Sequence, residues 1–202
     1  MRLVGLVGAA GCGKSTVAEI LTAFGYSRLK FSQPLKDMLK SLGLTDEHTE
    51  GKLKEVPCDL LSGRTPRHAM QTLGTEWARD IMGKDFWLNI WRHKVSTQKY
   101  YMNKVVAEDC RFVNEANLIK SLGGELWVIK RPGYELNGHS SETEMESIKG
   151  DYTIHNHGNE ADLKMMIYGI LNNLSNSLKS TPQWEGDASE NKLCIEKKQS
   201  VT

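Results

Sequence analysis

The sequence has no continuous apolar run approaching the ~18 residues that span a bilayer, and its first residues, MRLVGLVGAAGCGK, break into glycine before a signal-peptide core can form. Neither a membrane anchor nor a secretory leader is expected, and a soluble cytoplasmic protein is. The four cysteines, Cys12, Cys58, Cys110 and Cys194, include no C-x-x-C pair, which argues against a zinc ribbon or a disulfide framework and for reduced thiols. Charge of one sign is missing too: 26 Lys and Arg face 25 Asp and Glu, so neither nucleic acid nor a membrane surface is an expected partner, and any anion site must be local. There is no internal repeat. At 202 residues and 39% hydrophobic content the chain can still bury a sizeable core.

What is present is an alternation of short apolar runs and amphipathic segments. Residues 2–7 (RLVGLV) predict a buried strand, and 14–24 a helix with Val17, Ile20, Leu21 and Phe24 at i, i+3, i+4, i+7 spacing. SRLKF (27–31) predicts a second strand, and PLKDMLKSL a second helix with proline in its first turn, stopped by Gly43. Residues from about 44 to 63 are polar and show no period. TPRHAMQTLGTEWARDIMG then reads as one helix, capped by Thr65, started by Pro66 and ended before Gly83, with Met70, Leu73, Trp77 and Ile81 near one apolar face. A helix over 85–98, a strand over 104–108 ending at Asp109, a helix over 113–122 and a strand over 124–130 follow. Residues 131–150 are polar and long enough to count as a functional loop, DYTIHN predicts a fifth strand, and Leu163 to Leu174 mark a last helix. Beyond about 179 the periodicity vanishes, and a flexible tail is expected. Such alternation implies an α/β fold: a five-stranded parallel sheet with helices on both faces, right-handed crossovers, and ligands at the carboxyl ends of the strands.

GAAGCGKS, residues 8–15, fits G-x-x-x-x-G-K-[ST]. Glycines such as Gly11 and Gly13 let successive N–H groups converge on a phosphate, and the helix starting at Lys14 adds the positive end of its dipole. Lys14 is expected to reach the β- and γ-phosphates of a triphosphate, Ser15 to hold Mg²⁺, and Thr16 to complete the first turn.

The use of that phosphate is narrowed by further absences. No Asn-Lys-x-Asp segment follows a late strand, so a guanine-nucleotide switch is not expected; Glu108 and Asp109 after VVA offer the paired acids of a motor ATPase, but the chain is small for one. A hydroxyl acceptor would need a carboxylate near the end of the second strand as base, and Phe31-Ser32-Gln33 carries none. A phosphate acceptor needs cations instead, to hold two anions in line. Arg67 is placed to take such a phosphate and Gln71 to pair with a base edge, the alternative being an ordinary polar helix face. Asp109, Arg111 and Glu115 cluster after the third strand. Asp109 is suited to orient metal-bound water or a sugar hydroxyl, Arg111 to bridge the phosphates and Glu115 to take a further donor, the alternative being a capping and ion-pair cluster. Arg131 opens the long loop and can close over the transferring group. His155 and His157 lack partners for a metal and read as structural.

Together, GAAGCGKST, FSQPLKDML, RTPRHAMQTLGTEWARDIMGKDFW, VVAEDCRFVNEA, the RPGYE…HSSETE loop and YTIHNHG resemble the deoxynucleoside monophosphate kinases of tailed bacteriophages, within the P-loop nucleoside monophosphate kinase superfamily. The glycine loop alone identifies the superfamily; TPRxAMQTLGTEWxRD and DxRFxNE are far more specific. The resemblance covers about residues 3–175. It implies a P-loop kinase domain over 1–178, with a helical acceptor-binding insertion at about 33–100, a lid at about 131–150, and a tail at 179–202. It also implies ATP as donor with Mg²⁺ at Ser15 and Asp109, and a deoxynucleoside monophosphate (dNMP) held by Asp109, Arg111 and Glu115. A tryptophan, Trp87 in preference to Trp91, would lie near the acceptor base, and Asn156 along the ATP adenine. A cytoplasmic location in an infected bacterial host follows. The chain departs from the pattern in its single lid arginine, Arg131, which leaves more to Arg67 and Arg111. The expected reaction moves the ATP γ-phosphate to the dNMP 5′-phosphate, with Lys14, Arg111 and Arg131 as catalytic cations. The alternatives are a dephospho-coenzyme A kinase and a non-catalytic ATP-dependent binding protein. Small nucleotides are the expected partners, and a homodimer the default oligomer.

Overall fold

The computed structural model describes residues 2–98, 103–134 and 144–179. Five strands, β1 (Arg2–Val7), β2 (Ser27–Arg28), β3 (Lys104–Ala107), β4 (Glu125–Lys130) and β5 (Tyr152–His155), form one parallel sheet in the order β2-β3-β1-β4-β5. Leu3 to Val7 are buried without alternation, as expected of a central strand covered on both faces. Leu3 and Val7 join a core with Leu88, Trp91, Val105, Ile119 and Leu126; Val4 and Leu6 point to the opposite side. From β1 the chain runs through α1 (Lys14–Ala23) outward to β2, whereas from β3 it returns across β1 through α6 (Val113–Ser121) to β4. The reversal beside β1 opens a crevice at the carboxyl ends of β1 and β3.

Between β2 and β3 lies a helical insertion. It comprises α2 (Gln33–Ser41), α3 (Asp46–Thr49), the 3₁₀ turns Lys52–Glu55 and Asp59–Leu61, α4 (Pro66–Gln71), a π-helix Thr72–Met82, and α5 (Phe86–Gln98). Leu35, Leu39, Met70, Ala78 and Trp87 give it a core of its own. The stretch at 44–63 thus contains α3 and two 3₁₀ turns, each too short to show a period.

The predicted helix after Thr65 begins as expected: the Thr65 hydroxyl accepts from His68 N at 3.1 Å and Pro66 takes the first position. It does not stay α-helical. Gly83 N donates to Ala78 O at 2.9 Å, an i→i+5 bond, and because each π turn takes an extra residue, later side chains fall behind the α-helical phase. Ile81, expected on the apolar face, is accordingly 74% exposed. The second strand is also shorter than 27–31. Leu29 N still bonds Val106 O at 2.9 Å, but Leu29 and Phe31 are apolar because they pack in the main core, beyond the two-residue ladder.

The polar loop expected over 131–150 ends inside the core, since Met145 and Ile148 are buried there. Residues 135–143 and the tail from 180 onward lie outside the described residues. Two compact units, Met1–Ile167 and Tyr168–Thr202, can be distinguished. α7 (Glu160–Lys179) crosses from one to the other in sequence, and every candidate site residue belongs to the first. Among the described residues no helix is long and apolar enough to cross a membrane.

Candidate active site

The loop between β1 and α1 takes left-handed backbone at Gly11 (φ 77°) and Gly13 (φ 108°). Both also lie under a neighbour: a Cβ on Gly13 would sit 2.5 Å from Asn156 Nδ2, and one on Gly11 would sit 2.6 Å from the Tyr134 ring. The first turn of α1 has no side-chain cap and no acidic residue, so its N–H groups are open to an anion. Lys14 Nζ folds back to donate to Gly8 O (2.6 Å) and Ala9 O (2.7 Å). Burial draws the Lys14 pKa down and Arg111 adds to this, while Cys12 and Asp109 oppose it. Ser15 is exposed and Thr16 half-buried in the same turn.

Asn156, expected along an adenine, reaches the phosphate loop. Its side chain is buried, and Nδ2 donates to Cys12 O at 2.9 Å while its backbone N donates to Lys130 O at 2.8 Å. Its amide therefore braces the phosphate loop from the end of β5. Arg131, exposed after β4, stacks 4.9 Å above the Tyr134 ring, which itself covers Gly11.

Across the crevice lies a cavity of about 540 Å³, within the range of small-molecule sites. Arg67, Gln71, Trp87, Asp109, Arg111 and Glu115 all line it, although they come from three separate segments. Trp87 donates from Nε1 to Gly74 O at 3.0 Å and packs edge-on to Phe86. Trp91 is fully buried, bonded to Leu29 O and stacked on Phe31, away from the cavity. Arg67 pairs with Glu55 at 2.5 Å.

Asp109, expected to orient metal-bound water or a sugar hydroxyl, holds backbone N–H groups and a hydroxyl of the protein. Its Oδ1 accepts from Phe31 N (2.9 Å), and its Oδ2 from Ser32 N (2.9 Å) and Ser32 Oγ (2.6 Å). Both carboxylate oxygens thus hold the entry to α2. The same geometry corrects the inference that no carboxylate stands beside Ser32: none is near in sequence, but β3 brings one there in space. Glu108 is buried and held bidentately by Arg28 at 2.6–2.9 Å.

Glu115 is buried, its Oε2 accepting from Arg111 N (2.8 Å) and Phe112 N (3.2 Å), its Oε1 from Arg79 Nη2 (2.9 Å). Burial raises its pKa to about 7, Asp109 adding to the rise and Arg79 and the two backbone N–H groups opposing it. Arg79, which sequence reasoning missed, lies 3.7 Å over the Phe112 ring and lines the cavity. A signal existed: Arg79 continues the four-residue spacing of Arg67, Gln71 and Thr75. Lys36 and Lys54 also line the cavity, Lys54 from an aperiodic stretch that carried no signal. His155 and His157 stack on each other at 5.4 Å, and no group of three or more potential metal-binding side chains occurs among the described residues.

A parallel sheet of this order, with a glycine loop delivering a lysine into α1 and a cation-lined cavity beside it, defines a P-loop kinase. Dephospho-CoA kinase from Campylobacter jejuni shares the fold, with a TM-score of 0.51 and 20% identity over 88% of this chain and 100% of that one. The sequence profile for deoxynucleotide monophosphate kinase matches residues 43–167. A protein of Acanthamoeba polyphaga mimivirus, provisionally named as a deoxynucleotide monophosphate kinase, is 36% identical over 190 residues, covering 87% of this chain and 98% of its own. The chain belongs to the deoxynucleotide monophosphate kinase family and is a kinase. That relative comes from a giant virus, whereas the sequence resemblance pointed to tailed bacteriophages.

Proposed function

We propose that the protein transfers the γ-phosphate of ATP to the 5′-phosphate of a dNMP, giving ADP and the deoxynucleoside diphosphate. The observation that supports this most directly is the position of Arg111: it follows the carboxyl end of β3, the strand paired with β1 and so beside the phosphate loop, and it lines the cavity with Arg67, Gln71 and Trp87. One guanidinium therefore stands between the phosphate loop and the cavity.

In this reading the loop N–H groups and α1 cradle the donor phosphates, and Lys14 exchanges the Gly8 and Ala9 carbonyls for phosphate oxygens. Trp87 and Gln71 face the acceptor base, and Arg67 and Arg111 its phosphate. An oxygen of the acceptor phosphate bonds to the γ-phosphorus as the bond to the bridging oxygen of ADP breaks. That oxygen is already anionic, so no general base is needed; Lys14, Arg111 and Arg131 balance the charge. Glu115 keeps Arg79 and the Arg111 backbone in place. Ser15, exposed in the first turn of α1 and with no side-chain hydrogen bond among the described residues, fits one Mg²⁺ position, the others falling to phosphate and water. Asp109 would reach such an ion through water. Bound there, Mg²⁺ would neutralise charge on the β- and γ-phosphates. The free thiols Cys12, Cys58 and Cys110 fit a reducing, cytoplasmic setting.

One observation favours a second reading. Asp109, 2.6 Å from Ser32 Oγ, sits where a hydroxyl acceptor would need its base, as in a dephospho-coenzyme A kinase. That carboxylate already accepts three hydrogen bonds that hold the entry to α2, and the family membership favours a nucleotide acceptor. A coupled assay of ADP release, offering each dNMP, each ribonucleoside monophosphate and dephospho-coenzyme A in turn, separates the readings. ADP release that depends on a dNMP is expected. Release only with dephospho-coenzyme A, or no release with any acceptor, overturns the proposal.

A further inference from the structure

We propose that Tyr134 is a positioning residue: its ring, seated on Gly11 of the phosphate loop, holds the Arg131 guanidinium beside that loop. This rests on the phosphoryl-transfer reading above, in which Arg131 meets the transferring group, and it assigns a task to a side chain that the reaction does not otherwise use.

The local sequence builds the arrangement. In Arg131-Pro132-Gly133-Tyr134 the proline presets the second position of a turn, and Gly133, at φ 76°, takes the left-handed third position that a type II turn requires. Tyr134 N donates to Arg131 O at 3.2 Å and closes the turn. This reversal, directly after β4, brings the two side chains together: the Arg131 guanidinium carbon lies 4.9 Å from the Tyr134 ring centroid, inside the reach of about 6 Å for a cation–π contact. The ring in turn rests on the phosphate loop, where a Cβ on Gly11 would come within 2.6 Å of it. Gly11, left-handed at φ 77°, is thus also the seat of the ring.

What Arg131 lacks shows why a seat matters. It is the only arginine between residues 131 and 150, it is exposed, and among the described residues its side chain makes no hydrogen bond or ion pair. A long side chain held by nothing loses its rotamer freedom when it engages an anion, whereas one already resting on a fixed ring loses less. A cation–π contact consumes none of the five guanidinium N–H donors, so all of them stay available to phosphate oxygens. Because the ring is seated on the phosphate loop itself, Arg131 keeps its place relative to Lys14 and the first turn of α1.

The test compares steady-state kinetics of wild type, Tyr134→Phe, Tyr134→Leu, Arg131→Ala and the double variant Arg131→Ala/Tyr134→Leu, with the dNMP that wild type uses best. Tyr134→Phe should keep kcat within about twofold, because the ring face is retained. Tyr134→Leu keeps apolar cover over Gly11 but loses the ring; it should lower kcat at least about fivefold, as for a charge held less well in place, with the KM for the dNMP within about twofold. In the Arg131→Ala background the same leucine should change kcat by less than about twofold, since the two residues act as a unit. Tyr134 is 44% exposed, so circular dichroism should find every variant folded. Equal kcat for Tyr134→Leu and Tyr134→Phe, a loss in Tyr134→Leu that persists in full without Arg131, or a loss confined to the KM for ATP overturns the assignment. A wild type that releases no ADP with any dNMP overturns the transfer reading instead. The same variants are then titrated with a non-hydrolysable ATP analogue: an affinity loss in Tyr134→Leu that vanishes without Arg131 supports the positioning role, and its absence overturns that role too.

Discussion

Arg111 divides its labour at the β3–α6 turn: its backbone N–H is held by Glu115 at 2.8 Å, while its exposed guanidinium lines the cavity. Removing the side chain leaves the turn intact and takes away charge where the proposed reaction brings two anions together. Arg111→Ala, and likewise Lys14→Ala, should lower kcat at least about 100-fold, as for loss of a preorganised transition-state charge; steady-state turnover of folded variants checks this, and near-wild-type turnover sinks the assignment. Glu115 carries a second prediction. Its folded-state pKa, about 7, lies above the ordinary 4.5, so its contribution to stability is fully present below about pH 4.5 and is lost as pH rises through about 7. Glu115→Gln cannot ionise. Urea unfolding at pH 5 and pH 8 should show the variant gaining on wild type at the higher pH by up to about 3 kcal/mol, and a pH-independent difference would refute the raised value. At this scale the six residues that line the cavity were legible, five because strand ends and helix spacing announce them and Trp87 through the resemblance alone. Asp109 beside Ser32, 77 positions apart, was not, because only strand pairing sets that distance.

At the scale of elements, the phosphate loop was legible because its glycines answer to local backbone geometry. What lies on top of it was not: Asn156 and Tyr134 reach the loop from beyond β5 and β4, where no local signal exists. Gly13→Ala would strain a residue at φ 108° and drive a Cβ into the Asn156 amide. It should lower ATP-dependent turnover at least about tenfold while the sheet still folds, consistent with a site misplaced by about an ångström, as measured by kcat alongside circular dichroism; full activity would show that the loop tolerates the displacement. The π-helix Thr72–Met82 was likewise hidden. An i→i+5 pattern leaves the same apolar residues in the sequence; in it Ala78 joins the insertion core with Trp87, Arg79 reaches Glu115 and Ile81 faces solvent.

For the whole molecule, the phosphate loop and the cavity proposed for the acceptor belong to one compact unit, Met1–Ile167, so ligands that bind only the folded state should stabilise that unit by mass action. At a concentration 100 times its dissociation constant, a dNMP should add about 2.7 kcal/mol, or about 5–10 °C in Tm for a chain of this size; a melting temperature unmoved by any dNMP would contradict the acceptor site. The amino-acid sequence by itself determined the alternation of strands and helices, the phosphate loop and the residue types around the acceptor, because periodicity, glycine geometry and capping act between near neighbours along the chain. Only the tertiary structure decided that Asp109 serves the backbone at Ser32, that Asn156 braces the loop, and that Lys54 stands with Arg111 and Arg67 around one cavity. These follow from strand order and helix packing, which bring together charges far apart in sequence and thereby set which of them are compensated.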